Sequence, residues 1–572
     1  MRFRESLTEG SLAQGLALVL CLLLGLPAVT QAVEPGYDVD LNQARVQSAD
    51  GMGFVPPAFP TEHIAADVAQ NLRADKALPA AYDTRTLGYV TPVRNQGSCG
   101  SCYAFGSAAD LESRVLMAGL PEVDLSENDI KECNYLNTSC DGGNQYITMS
   151  YMADAGVTAE LCDPYAQTRT GCNRAGCAGE YTVLQWSAIA GGSVPATDLL
   201  KQYILDHGPV HTTLYAGDGD AWAAEFAAYD GTGALHYEGT ETPNHSVFLV
   251  GWDDAVGAGA WIVKNSWGTS WGGNCGFGPE NGYFYIDYGS ANIGMYSSFV
   301  SEFMGTNVDA SLLRLDEAGY TSAYGASSTT FWGMAKLVNS GDTYLHRVEF
   351  WTSDVTTDVD VYVYDNFDGS SLSGLLCQSL DNAYAEPGYH SVSWGAPISL
   401  TPDQDIYVAV KFTNVSYTYP LCVDVDGPKD ADCSWFGFNG STWYNLAGAD
   451  VTISARVSTA TVLGIDDTHG DPELPPVELP TRLTIDSVRP NPFNPMTTVK
   501  FSLPEAGFVN AAIYDLQGRL VQTLLAETRD AGSHEVVWRG ETRDGQAAPA
   551  GVYFCIVESG DQVRATKLAL LK

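Results

Sequence analysis

A loop of small residues runs straight into a helix at Gln96-Gly97-Ser98-Cys99-Gly100-Ser101-Cys102-Tyr103-Ala104-Phe105. Phe105, Ala108, Leu111 and Val115 fall near one face of the segment from Tyr103 to about Ala118, which gives it a helical, core-facing stripe. Cys102 therefore stands at or just before a helix N-terminus. Unpaired N–H groups and the helix dipole favour negative charge there. A thiolate is such a charge, so a cysteine in this place is suited to act as a nucleophile. Taken alone, the spacing Cys99-x-x-Cys102 equally fits a disulfide or a metal pair, and residues elsewhere in the chain have to decide.

A thiol nucleophile needs a base, and the base needs an orienting partner. His245 lies in Pro243-Asn244-His245-Ser246-Val247, directly before a β-type run. Asn265 lies in Lys264-Asn265-Ser266-Trp267-Gly268, directly after another. With Cys-Gly-Ser-Cys followed by an aromatic residue, this set resembles the papain family of cysteine peptidases, cathepsins included. Tyr103 stands where that family usually has Trp, which reads as a packing change.

The resemblance implies roles. Cys102 attacks the peptide carbonyl, and His245 forms an ion pair with it and later protonates the leaving amine. Asn265 fixes the imidazole, and Trp267 lines the cleft and covers that hydrogen bond from water. The Gln96 side-chain amide and the Cys102 N–H form the oxyanion hole. Cys140-Asp141-Gly142-Gly143 resembles the family's Cys-x-Gly-Gly turn, where Gly142 and Gly143 let a substrate backbone approach and pair as a short strand. Asn144 and Gln145 come next, where relatives often have larger or apolar residues, so the usual S2 preference is not expected to carry over. Asp163-Pro164-Tyr165 resembles the family's Tyr-Pro-Tyr loop. No long His-containing insertion follows it, which favours endopeptidase action. The same resemblance implies a Cys99–Cys140 disulfide.

A chain of 572 residues exceeds one hydrophobic core. The expected fold class is α+β: a papain-like two-lobed domain, with a helical lobe and a β-barrel lobe, followed by two all-β sandwiches. Arg2, Arg4, the apolar run Leu16 to Leu26 and Thr30-Gln31-Ala32 read as a secretory signal over residues 1–32. Its apolar run is too short for a confident membrane span. Residues 33–77 read as a short propeptide-like segment with an amphipathic stretch from Thr61 to Lys76, and 78–302 as the peptidase domain. Residues 309–457, rich in alternating strands, resemble the lectin-like sandwich of some bacterial papain-like peptidases. Residues 464–480 are an Asp-, Glu- and Pro-rich linker. In 483–572, Pro490-Asn491-Pro492-Phe493-Asn494-Pro495 and Ile513-Tyr514-Asp515-Leu516-Gln517-Gly518-Arg519 resemble the Ig-like module of the flagellar hook-capping protein and of gliding-bacterium sorting domains.

The formal net charge of −40 and a pI near 4.3 argue against nucleic acid or an anionic membrane surface as a partner. The expectation is a secreted or cell-surface monomer acting on proteins or peptides, with a glycan or cell-surface ligand for 309–457. It calls for no cofactor or metal. Within 309–457, Trp351 and Trp394 are expected to be buried on strands, and Trp435 or Trp443, in a turn-rich stretch, to meet a sugar. Thirteen cysteines in an exported chain can oxidise. Cys133 is expected to join Cys172 or Cys177, Cys422 to pair with Cys433, and Cys555 to stay a buried thiol. Cys162 and Cys275 have no assigned partner. A zinc cluster of Cys162, Cys172 and Cys177 lacks ligand-pair spacing. Two other functions fit the fold: an adhesin whose peptidase domain only binds, and an acyl transferase.

Overall fold

A computed structural model describes residues 52–71, 78–460 except residue 308, 469–470 and, with short gaps, 482–571. The signal reading of 1–32 and the segments 33–51 and 72–77 lie outside these residues. The linker reading falls mostly outside them, but His469 and Gly470 pair with Phe303 and Glu302 as a two-residue strand.

The helices relevant here are α1 (Ile64–Asn71), α2 (Cys102–Met117), α3 (Glu127–Cys133) and α4 (Gln145–Asp154). Helix α2 is the hub, buried along nearly its whole length. One side packs on α3 and α4 through Leu111, Val115, Ile130 and Met149. Its other side meets a sheet of strands β1 (Gly179–Ala188), β2 (Val210–Leu214), β3 (His245–Asp253), β4 (Ala260–Lys264), β5 (Tyr283–Asp287) and β6 (Met295–Gly305), contacting β2, β3 and β6. These run side by side in the order β1-β6-β2-β3-β4-β5. Gly106 allows the close helix–sheet contact, since a side chain there would collide with the His211 ring at 2.6 Å.

The peptidase sheet does not end at β1. Gly388 and Tyr389 of the strand Gly388–Ser399 pair antiparallel with Ser187 and Trp186. Tyr344–Thr352 and Ile453–Ser458 extend the same sheet, so that among the described residues it counts 14 strands. The region read as a separate sandwich therefore shares a sheet with the peptidase lobe. Trp186, Tyr146, Trp351, Tyr389 and Tyr320 form one buried aromatic cluster across the junction. Apolar area removed from water at about 25 cal/mol per Å² makes such a cluster a main term in holding the two parts together. Arg347 adds a paired contact to Glu302, at 2.7 and 2.8 Å.

The second face of the sandwich is a six-stranded sheet containing Thr330–Leu337, Thr356–Phe367, Leu372–Tyr384, Ile406–Asn414, Ser434–Gly437 and Trp443–Asn445. Val359, Val361, Val363, Val408, Val410 and Phe412 alternate inward to its core. Residues 482–571 form a further two-sheet unit around Trp538, Phe501 and Val557.

Candidate active site

Cys102 is the first residue of α2 and is wholly buried. Its Sγ accepts a hydrogen bond from the Ser246 N–H at 3.2 Å. Pairing of β3 with β4 brings His245, at the start of one, close to Asn265, at the end of the other. The His245 Nε2–H donates to Asn265 Oδ1 at 2.8 Å. That bond fixes the ring and leaves Nδ1 as the other nitrogen, with no hydrogen-bond partner. Trp267 lies beside the imidazole, with ring centroids 5.3 Å apart, and is backed by Phe226 and Trp271.

Gln96 is buried on the loop before α2. Its side-chain amide donates to the Cys99 carbonyl at 3.0 Å and accepts from the Ser266 hydroxyl. Its backbone N–H donates to the Ser266 carbonyl at 2.8 Å. The loop before the helix is thereby tied to the loop that carries Asn265. The structure thus brings Gln96, Cys102, His245, Asn265 and Trp267 into one site.

In this closed arrangement no hydrogen bond joins Cys102 Sγ to the His245 ring. Burial pushes the Cys102 thiol up to about 12, and the Ser246, Tyr103 and Gly53 contacts offset only part of that. Burial pulls His245 down to about 4 against the opposing hydrogen bond to Asn265. In a sealed site desolvation works against charge on both groups.

The seal is residues 52–60. The Gly53 and Phe54 N–H groups donate to the Asn244 carbonyl at 3.1 and 2.9 Å. Val55 N–H donates to the Gly143 carbonyl and Gly143 N–H to the Gly53 carbonyl, both at 2.9 Å, so the segment lies parallel to the Gly143 edge. Gly142, at φ +101°, permits this approach: a side chain there would meet Gly53 O at 2.8 Å and the Val55 side chain at 2.9 Å. Phe54 packs on Tyr296, ring centroids 5.0 Å apart, in a small apolar cluster with Cys102.

Asn244 and Tyr296 at this edge escaped the sequence reading, and Asn144 was read there only as a departure from the usual S2 residues. Asn144 caps α4 through Oδ1, accepting from Tyr146 and Ile147 N–H, while its Nδ2 donates to the Val55 carbonyl at 3.0 Å. Its place directly before a helix was the available signal. Asn244 contributes a backbone carbonyl next to His245, which no side-chain pattern announces. Tyr296 lies in a strand-like run and carries no motif. Tyr103, in place of the family's Trp, puts its ring under Gly143 and its hydroxyl on Thr138 Oγ1 and the Ser139 carbonyl, at 2.7 and 2.8 Å.

Cys99 is bridged to Cys140, and Cys133 to Cys172. Cys162, left without a partner by the sequence reading, is bridged to Cys177. These bonds occupy the sulfurs that the zinc alternative needed. Cys422 and Cys433, expected to pair, are both free. Cys422 faces the aromatic junction between the domains, whereas Cys433 packs against the sandwich core, so the two thiols belong to different cores.

Comparison with known proteins places this geometry. Residues 78–303 match the papain family cysteine protease description. The chain carries a papain-family cysteine protease domain. Residues 312–454 match a lectin-like domain and 495–562 an FlgD Ig-like domain. Peptidase 1 of Euroglyphus maynei is 33% identical over 220 residues, 38% of this chain and 63% of that protein. Cathepsin K of Mus musculus is 33% identical over 198 residues, 34% of this chain and 57% of that protein. Across the curated relatives compared, the chain spans 57 to 66% of their length. The protease and lectin-like domains of Cwp84, a surface layer associated protein of Clostridium difficile, share the fold at a TM-score of 0.58. That likeness has 19% identity and covers 74% of this chain and 96% of that one. Among the described residues no helix is long and apolar enough to cross a membrane.

Proposed function

We propose that the chain is a secreted cysteine endopeptidase whose site is held closed by residues 52–60. The observation that carries this reading is the convergence of Cys102, His245, Asn265 and Gln96 beside a cleft already occupied by an extended peptide. Once the cleft opens, water returns and the helix N-terminus favours the thiolate. Proton transfer from Cys102 to His245 then gives the nucleophile and, later, the acid for the leaving amine. Asn265 holds the imidazole through its ring N–H. The Gln96 amide and the Cys102 N–H receive the oxyanion, and Gly142, Gly143 and the Asn244 carbonyl pair with the substrate backbone. Residues 52–60 pair in extended form with the Gly143 edge and cover Cys102, which supports their reading as an intramolecular blocker. Cys102→Ala should abolish cleavage of a fluorogenic peptide panel and leave the melting temperature unchanged. Turnover retained by that variant would remove the assignment. Amine incorporation without hydrolysis by the wild type would favour the acyl-transferase reading instead.

For the second domain we propose a carbohydrate ligand on the outer face of the six-stranded sheet. The strands there align half-buried Trp332, Tyr362, Tyr364, Tyr407 and Trp435. Lys411, paired with Asp360, stands among them as a polar partner for hydroxyls. Trp443 lies on the short edge strand of this sheet and Trp435 on the short strand beside it, rather than in a turn, and Trp394, expected to be buried, is half-buried. The full chain and its Trp435→Ala variant, run on the same glycan array, check this. The wild type should bind and the variant should lose at least tenfold in affinity with its melting temperature intact. No binding by the wild type removes the proposal.

A further inference from the structure

The blocking segment does not stop at the cleft. Beyond Val55 it climbs onto the second domain. Phe59 stacks on Tyr320, centroids 3.9 Å apart and nearly parallel, and sets its edge on Tyr146. The Thr61 hydroxyl accepts from Gly192 N–H at 3.0 Å, and the chain passes so close to Gly191 that a side chain there would collide with the Thr61 backbone. His63 then lies flat on Tyr417, centroids 4.1 Å apart, and its Nε2–H donates to the Ser353 carbonyl at 2.9 Å. In α1, Ile64 and Val68 enter a buried cluster that includes Val355 and borders Val415. The Ser416 hydroxyl donates to Asp67 at 2.6 Å.

Two features separate these contacts from those in the cleft. The cleft contacts are mostly backbone hydrogen bonds to Gly143 and Asn244, of the kind any extended peptide can make. The contacts with residues 353–355 and 415–417 are made by side chains and read this one sequence. In addition, α1 has only eight residues, and a helix of that length is not stable alone in water. Its fold depends on the surface it lies against.

We propose that the second domain is the latch of the blocker: the loops at 353–355 and 415–417, with Tyr320, form a docking surface for residues 59–68. This latch sets how tightly the cleft is closed. The inference rests on the reading of residues 52–60 as a blocker and adds to it where the affinity resides. The latch also explains how so short a segment closes the site: its grip extends over two domains.

The experiment uses the matured full-length chain, freed of the segment, with a synthetic peptide of residues 50–71 as inhibitor of fluorogenic-substrate hydrolysis. The wild-type enzyme should be inhibited. A Tyr417→Ala, Ser416→Ala enzyme should keep its kcat and KM and show an inhibition constant at least tenfold higher. A peptide with His63→Ala should lose a similar factor on the wild-type enzyme and little more on the variant, since both changes remove the same contact. This arm leaves the enzyme's own folding untouched. A short peptide of residues 50–57 should inhibit at least tenfold more weakly than the long one. Equal inhibition constants for the two enzymes, or for the two peptide lengths, would overturn the latch and leave the blocker reading standing. No inhibition by the long peptide on the wild-type enzyme would overturn both.

Discussion

The chemistry of Cys102 turns on water. In the closed chain its thiol is pushed up to about 12 by burial, and His245 down to about 4, so burial works against charge on both. Alkylating agents react with thiolate. Cys102 in the closed chain should therefore label slowly with iodoacetamide at pH 7.5, and at least a hundredfold faster after residues 52–60 are removed. Peptide mapping by mass spectrometry gives the rate at this one thiol, and equal rates in both forms would contradict the burial argument. At this scale the residue identities of the site were legible in the sequence, because a thiol, an imidazole and two amides in these contexts have few uses. Their charge state was not. It depends on a segment more than forty residues upstream lying across them, and no local pattern encodes that. Asn244 was hidden for a related reason: its carbonyl makes the contact, and every residue has one.

At the scale of elements, the turn from Thr138 to Gly143 is supported from below by the first turn of α2. The Tyr103 ring fills the space under Gly143, and its hydroxyl, fully buried, is satisfied by Thr138 and Ser139. Tyr103→Phe keeps the ring and leaves a buried carbonyl with one partner fewer. A loss of about 1–3 kcal/mol in stability is expected, measured by urea unfolding, with kcat near wild type. A loss of turnover without a loss of stability would give Tyr103 a role in chemistry instead. Helix α2 was legible from its apolar stripe, and the strands carrying His245 and Asn265 from their β-branched and aromatic runs. Helix α1 was legible as an amphipathic stretch, but not the surface that holds it. Periodicity shows that a face is to be buried, not which domain covers it. The cysteines show the same limit: Cys162 and Cys177 meet because of how a long loop folds back, which spacing does not reveal.

For the whole molecule, the boundary between the first two domains carries charge as well as aromatic rings. Burial raises the Glu302 carboxyl, but the hydrogen bonds and attraction of Arg347, with help from Gln185, more than offset it and hold it below its ordinary value. A carboxyl lowered in the folded state adds stability above its unfolded pKa, and that stability is lost as pH falls through the folded value. The melting temperature of the wild type should therefore exceed that of Glu302→Gln at pH 7, and the gap should close as pH falls below the ordinary carboxyl range. A gap independent of pH would mean that Glu302 acts by shape alone. The three-part division of the chain could be read from its strand-rich runs and linker. The fusion of two of those parts could not, because it rests on Gly388 and Tyr389 meeting Ser187 and Trp186, a match between strands two hundred residues apart.

That seam bears on how the peptidase can be handled as a separate piece. Gly388 lies so close to the Trp186 carbonyl that a side chain would have no room, and past it the sandwich strand covers an end of the strand Gly179–Ala188. A recombinant 78–303 fragment would present that bare strand border, together with the uncovered rings of Trp186 and Tyr146, to every other copy in the tube. Unpaired strand borders beside apolar rings are templates for self-association. The excised peptidase is thus expected to precipitate or form oligomers on size-exclusion chromatography, where a fragment of residues 52–460 runs as one compact species.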